Sequence, residues 1–288
     1  MFGAIEAGGT KFVCAVGDGN LTIHERVSFP TTTPEETLKN VITFFKKYDS
    51  ALKGIGIGSF GPIDIKKESE TYGYITTTPK EHWQYFNFLG KIKESFNVPI
   101  AWTTDVNAAC YGEYSLGHAV GLSSVVYFTI GTGVGGGAIQ NGHFIEGFNH
   151  PEMGHMLIRT NEKDSFLGSC PFHANCLEGL ASGSAIAKRF GKSGAEIPED
   201  NPFWSIEADY IAQCIYNTTL MFSPDKIILG GGVIKKDGLV EEINTRFNDL
   251  MNNYVNFPTS DYILTPKLGD NAGIIGCLAL AKKYDETF

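Results

Sequence analysis

The sequence predicts an α/β protein of two domains with duplicated topology, on three observations. Apolar strands alternate with amphipathic helical periods along the whole chain. A strand–turn–strand unit with a glycine turn occupies residues 2–17 (FGAIEAG, GT, KFVCAVG) and recurs at 124–139 (SVVYFTIGTGVGGGAI). Such a recurrence points to an internal duplication, one copy per domain. The 288 residues have room for about two domains, each with its own core. No low-complexity or linker-like stretch intervenes, so the crossing is short and falls within 110–121. The expected domains are residues 1–115 and 116–269, with a terminal helix over 270–288 packing back on the first.

Between the hairpins, Thr33, Pro34 and Glu36 read as a capping box with proline at the first helical position. Leu38, Val41, Ile42 and Phe45 give that helix one apolar face. LKGIGIGSFGP comes next as a buried strand running into a loop over 58–62, with Asp64 beyond it. After a polar, aromatic-containing stretch over 66–85, Leu89, Ile92 and Phe96 mark a second helix. VPIAWTT is a strand that delivers Asp105 at its carboxyl end, and VNAACYGEY continues as helix. Residues 185–190 and 206–222 read as helices, and KIILGGG as a strand breaking into glycines. Leu239, Ile243, Phe247, Leu250 and Tyr254 define a long amphipathic helix. LGDNAGIIGCLALAKK closes the chain as a helix rich in small residues, capped by Asp and Asn.

Hydrophobic residues at 42% and charged residues at 19% describe an ordinary globular protein. The formal net charge of −9 disfavours nucleic acid and anionic membrane as partners. No signal peptide precedes the first strand and no apolar run is long enough to span a bilayer. The expectation is a cytoplasmic protein with reduced cysteines. Cys14, Cys110, Cys214 and Cys277 lie in apolar segments and read as core.

Neither hairpin is a standard nucleotide loop. The first lacks the Walker spacing, and a strand stands where a helix should start. In the second, Gly131, Gly133 and Gly136 satisfy G-x-G-x-x-G, but strand and an Asn141-Gly142 turn come after, so the dinucleotide reading fails. What glycine does provide in both turns is close access to backbone N–H groups. The most specific pattern lies at residues 151–178. Cys170, His173 and Cys176 form C-x2-H-x2-C, and His155 precedes them by fifteen residues. Two thiolates and two imidazoles make a closed tetrahedral set, which predicts structural zinc. Glu152 and Glu178 flank it, and a metal there would fix where both carboxylates point.

Together, IEAGGTKF, TDVNAA at 104–109, TIGTGVGGGAI, HPEMGH at 150–155, C-x2-H-x2-C-x-E and ILGGGV resemble the ROK family of sugar kinases and repressors, and within it the bacterial fructokinase branch. The likeness runs nearly end to end, in the family's order. It implies the actin-like ATPase (ribonuclease H-like) fold, with ATP and sugar in a cleft between two domains. It further implies a cytoplasmic homodimer that uses ATP, Mg²⁺ and structural Zn²⁺ to phosphorylate D-fructose at its 6-hydroxyl. A glucokinase or a broader hexose or N-acetylmannosamine kinase is the alternative. A sugar-sensing repressor of the family would carry a helix-turn-helix domain, for which there is no room ahead of Ile5.

The resemblance also implies roles. Asp105 would accept the proton of the attacking hydroxyl, although the same position also suits a helix N-cap. Gly9, Thr10, Lys11, Gly131, Thr132 and Gly133 would meet the phosphates, and Gly231, Gly232, Val233, Lys235 and Ser184 the adenosine side. The sugar would be held by Gly61, Asn107, Glu152, His155 and Glu178, with His155 shared between metal and sugar. Some members carry a third cysteine where His173 stands, and many glucose-type members have Asn where Thr104 stands. Both differences lean towards fructose.

Overall fold

In the computed structural model, which describes residues 1–258 and 260–286, the chain forms two units. The first holds Met1–Val120, Ile145–His150 and the chain from Asp270 onward; the second holds Gly121–Phe144 and Pro151–Gly269. Two short stretches that the sequence pattern assigns to the second domain, 116–120 and 145–150, therefore belong to the first unit. The 145–150 return has no apolar period to announce it.

The first unit contains β1 (Phe2–Ala7), β2 (Lys11–Gly17), β3 (Ile23–Pro30), α1 (Pro34–Lys46), β4 (Gly54–Ser59), β5 (Tyr74–Ile75), β6 (Phe86–Asn87), α2 (Phe88–Ser95), β7 (Ile100–Thr104) and α3 (Asp105–Leu116). The second adds β8 (Ser124–Ile130), β9 (Val134–Gln140), β10 (His143–Phe144), α4 (Leu177–Ala181), α5 (Gly183–Phe190), α6 (Phe203–Phe222), β11 (Lys226–Gly230), α7 (Leu239–Met251) and β12 (Ile263–Leu264); α8 (Ala272–Asp285) returns to the first. The sheets run β3-β2-β1-β4-β7 and β10-β9-β8-β11-β12. In each, an antiparallel hairpin is followed by two parallel strands. The duplication expected from the two glycine hairpins is present in the topology.

Burial explains the strand sequences. β4 and β7 are buried at every residue and read as unbroken apolar or small runs, as strands covered on both faces do. β3 alternates half-buried and exposed, as an edge strand with one wet face should. One face of the first sheet packs against Phe45, Trp83, Phe88 and Ile92; the other lies under Ile274, Cys277 and Leu278 of α8. Among the described residues no helix is long and apolar enough to cross a membrane.

Three helices begin earlier than their apolar periods suggest, because capping residues extend them. Asn87 accepts the Gly90 N–H ahead of α2, Ser182 accepts the Ala185 N–H ahead of α5, and the Asn201 side-chain oxygen accepts the Phe203 N–H at the start of α6. At α1, the Thr33 hydroxyl accepts the Glu36 N–H. α7 stops at Met251 rather than reaching Tyr254, which is 77% exposed. Asn252 and Asn253 adopt φ of 43° and 57°, a left-handed backbone that ends a helix.

The first unit also depends on backbone contact between α3, α8 and β4. A Cβ at Gly276 would lie 1.7 Å from the Ala108 carbonyl oxygen, and one at Gly56 would lie 1.9 Å from that of Cys277. Neither neighbour is a side chain that could rotate away. Gly276→Ala should therefore cost at least about 2 kcal/mol of unfolding free energy, the scale of an overpacked core. Gly19→Ala, where a Cβ meets nothing within 4 Å, should stay within about 0.5 kcal/mol. Urea titrations at equal m-values measure both.

Candidate active site

In the first unit, three segments bring the predicted residues to the carboxyl ends of β1, β4 and β7. The β1–β2 turn is closed by a Gly8 N–H donated to the Lys11 carbonyl at 2.9 Å. Thr31 buttresses it: its hydroxyl donates to the Gly8 carbonyl at 2.7 Å and its N–H to the Thr10 carbonyl at 3.0 Å. Gly9, Thr10 and Lys11 are left exposed at the tip, and a Cβ on Gly9 would meet open space. This turn can receive an anion.

Asp105 is the first residue of α3, and the cap is its neighbour. Thr104 Oγ1 accepts the Asn107 N–H at 3.1 Å, so capping does not occupy the aspartate. Asp105 Oδ1 instead accepts the Val106 N–H at 2.8 Å. Burial pushes its carboxyl up to about 6, against the two backbone hydrogen bonds that pull it down. Asn107 is buried, and its Nδ2 donates to Thr103 Oγ1 at 3.1 Å. Gly61 lies in the loop after β4, where His150 Nε2 accepts the Ile63 N–H at 3.2 Å.

Glu6 is a functional candidate that sequence patterns do not single out. It ends in the same region: burial, and next the charge of Asp105, push it up to about 7, with Arg26 and Lys11 acting the other way. Asp270 adds to the push. Room for its carboxyl exists because Gly273 has no side chain; a Cβ there would sit 2.7 Å from Glu6 Cδ. The available signal was one acidic residue inside the otherwise apolar strand FGAIEA.

In the second unit, Ser184, Gly232 and Glu178 lie against the Gly131–Gly133 turn. The Gly183 N–H donates to the Gly131 carbonyl at 2.6 Å and the Ser184 N–H to the Thr132 carbonyl at 3.2 Å, which docks the start of α5 on the turn. Gly231, at φ 95°, passes so close to Ile130 that a Cβ would lie 2.3 Å from its carbonyl oxygen. The missing Cβ of Gly131 is 3.9 Å from the Gly232 N. Val233 is buried, whereas Lys235 is exposed. Glu178 Oε2 accepts the Val134 N–H at 2.9 Å, and a Cβ on Gly133 would be 2.6 Å from that oxygen. Glu178 Oε1 stands 3.9 Å from His155 Nε2. Glu152 is exposed on the turn that leads to His155.

His155, Cys170, His173 and Cys176 place one donor atom each within 4.8 Å of one another. His155 Nδ1 is 3.5 Å from Cys176 Sγ and 3.7 Å from Cys170 Sγ, and His173 Nδ1 is 3.8 Å from Cys170 Sγ. Metal–sulfur and metal–nitrogen bonds of zinc-like length at the tetrahedral angle require a sulfur–nitrogen edge of about 3.6 Å. The four groups therefore fit a tetrahedral ion, with His155 binding through Nδ1 and keeping Nε2 towards Glu178. Burial, with Cys170 alongside, holds the Cys176 thiol at about 11, so its thiolate needs a cation. The loop also has protein support. Arg189 donates to Asp164, Tyr210 donates to Asp164 at 2.6 Å, and the guanidinium lies over Phe166.

Known proteins give this geometry a family. The chain matches the ROK family over residues 2–284. It is 50% identical over 283 residues to a fructokinase of Pediococcus pentosaceus, covering 98% of each protein. It is 48% identical over 288 residues to a fructokinase of Streptococcus mutans serotype c, again 98% of each. The ROK hexokinase of Thermus thermophilus superposes with a TM-score of 0.80 at 23% identity, over 100% of this chain and 99% of that one. The fold is that of the actin-like ATPases, two α/β units of like topology. Within that class, the chain belongs to the ROK family.

The ligand geometry generates a test. Metal-free protein titrated with Co²⁺ should bind one equivalent and develop thiolate-to-metal absorption with tetrahedral d–d bands. Cys176→Ser should weaken binding by at least about tenfold, and unchanged affinity would count against this ligand set.

Proposed function

We propose that the protein is a fructokinase, transferring the γ-phosphoryl group of ATP to the 6-hydroxyl of D-fructose. The observation that carries this reading is near-half identity to fructokinases over 98% of both chains. The chemistry of the first unit agrees with it. Asp105, at the carboxyl end of β7 and free of capping duty, accepts the proton as O6 attacks the γ-phosphorus. The bond from that phosphorus to the β–γ bridging oxygen breaks, and ADP leaves with the electron pair. Catalysis of this kind is mostly positioning and charge stabilisation.

Gly9, Thr10 and Lys11 on one hairpin, and Gly131, Thr132 and Gly133 on the other, serve the phosphates. The exposed N–H groups and the Lys11 cation suit that load. Glu6, Asp105 and Asp270 offer carboxylate oxygen, the donor type Mg²⁺ takes, and the ion would there neutralise charge developing on the phosphates. Ser184, Gly231, Gly232, Lys235 and the Val233 backbone serve the nucleoside. Gly61, Asn107, Glu152, His155 and Glu178 serve the sugar. Zinc is the metal of the Cys/His cluster; four protein ligands leave it no open position, so its role is to clamp the loop. We further infer a homodimer, on family resemblance, and a cytoplasmic location. Six cysteines and no disulfide among them are in keeping with a reducing compartment.

Asp105 must be ionised to accept a proton, and its carboxyl lies at about 6. kcat/KM for the sugar should therefore rise with pH through about 6 and level off above it. Asp105→Asn should lower kcat by roughly 10²–10⁴ while sugar binding persists, the usual share of a positioned base. Near wild-type turnover in the pure variant would remove Asp105 from this role.

Sugar preference is the sharper test. A site that leaves a buried polar group unpaired with the wrong ring form discriminates strongly. kcat/KM for fructose should exceed that for glucose by at least about tenfold, or about 1.4 kcal/mol. Measurement of fructose, mannose, glucose and N-acetylmannosamine under one set of conditions decides it. Glucose in first place would leave a kinase but overturn the weight given to Thr104 and His173.

A further inference from the structure

His150 has no part in the chemistry above, yet it is a buried imidazole with a specific task. It is the last residue of Ile145–His150, the short return to the first unit, and the next residue, Pro151, belongs to the second. Its Nε2 accepts the Ile63 N–H at 3.2 Å across 87 residues of sequence. Nε2 therefore carries no proton in this contact, and the ring is neutral with hydrogen on Nδ1. Its Cε1 also lies 3.6 Å from the position a Cβ on Gly61 would take.

The rest of that loop is held by other groups. The Phe60 N–H donates to the Ala7 carbonyl at 2.7 Å. The Pro62 carbonyl accepts from the Thr76 N–H at 2.8 Å and from its hydroxyl at 3.0 Å. Ile63 is fully buried and bridges Ile75. Proline at 62 has no N–H to give, so Ile63 supplies the first backbone donor after Gly61, and His150 takes it. Without that acceptor, a buried N–H would be left unpaired one residue from the proline, and the loop would have reason to shift.

We propose that His150 is a positioning residue for sugar recognition, fixing through the Ile63 N–H the conformation in which the Gly61 loop meets the hexose. The inference rests on the kinase reading with Gly61 at the sugar site. It assigns His150 a function that Asp105, the phosphate turns and the metal ligands do not share.

The test compares His150→Phe, which keeps a ring but loses the acceptor, with His150→Gln, whose side-chain oxygen reaches about as far as Nε2. In H150F, KM for fructose should rise at least about tenfold, while KM for ATP and kcat each change less than about threefold. H150Q should recover most of the loss. Equal damage to both substrates' KM values, an unchanged fructose KM, or no recovery in H150Q overturns the proposal. If H150F does not fold, H150Q against His150→Asn carries the test, because the shorter amide does not reach the Ile63 N–H. Equal fructose KM values in those two would be equally fatal. Failure of the broader reading looks different: the unaltered protein would then phosphorylate no hexose at all.

Discussion

The Glu178 carboxylate is the point on which the second unit's site depends. One oxygen accepts the Val134 N–H at 2.9 Å and so holds the first residue of β9. The other stands 3.9 Å from the imidazole nitrogen that His155 keeps away from the thiols. Its space exists only because residue 133 has no side chain. One carboxylate thus joins the glycine turn, the His155 turn and the loop of the Cys/His cluster. The glycine of the turn serves two purposes at once, opening N–H groups outward and admitting Glu178 from behind. A larger residue at 133 would displace the acid before it obstructed any ligand.

The first unit works by the opposite means. Its site concentrates charge, with Asp105 and Glu6 both pushed upward by burial and Asp270 adding to the repulsion. A carboxylate in that setting is a stronger base than one in water, because its charged form is poorly solvated. The geometry that makes this possible is the packing of small residues. Gly58 pairs with Glu6 across β1 and β4, and a Cβ on Gly58 would lie 3.2 Å from the Asp105 Cα. The strand between the two acids must therefore be bare at that point, and β4 reads GIGIGS.

How much of the molecule is legible in its sequence depends on the range of the interactions. The hairpins, the alternating sheets and the Cys/His cluster are local patterns, set by glycine, apolar runs and short spacings. They can be read directly. Thr104 as the cap of α3 needs a choice between adjacent polar residues, which only the Asn107 N–H settles. Glu6 is hidden by its strand, since its meaning depends on Gly273 of α8, far along the chain. His150 is a contact across 87 residues and belongs to a return segment with no periodicity of its own. The end of α7 is misplaced by pattern alone, because apolar spacing continues to Tyr254 after the backbone has turned left-handed at Asn252.

The two units show how one topology can acquire two chemistries. Each sheet opens with a hairpin whose turn is glycine and threonine, and each continues with two parallel strands. The difference lies beyond the fourth strand of each. In the first unit, β4 leads through the Gly61 loop to β7 and then to Asp105 at the start of α3, so an acid stands where the strands end. In the second, the corresponding strand β11 runs into Gly231 and Gly232, where backbone alone is presented. Each copy thus combines bare backbone with a carboxylate: the first sets Asp105 beyond its strands, and the second sets Glu178 behind the Gly133 turn.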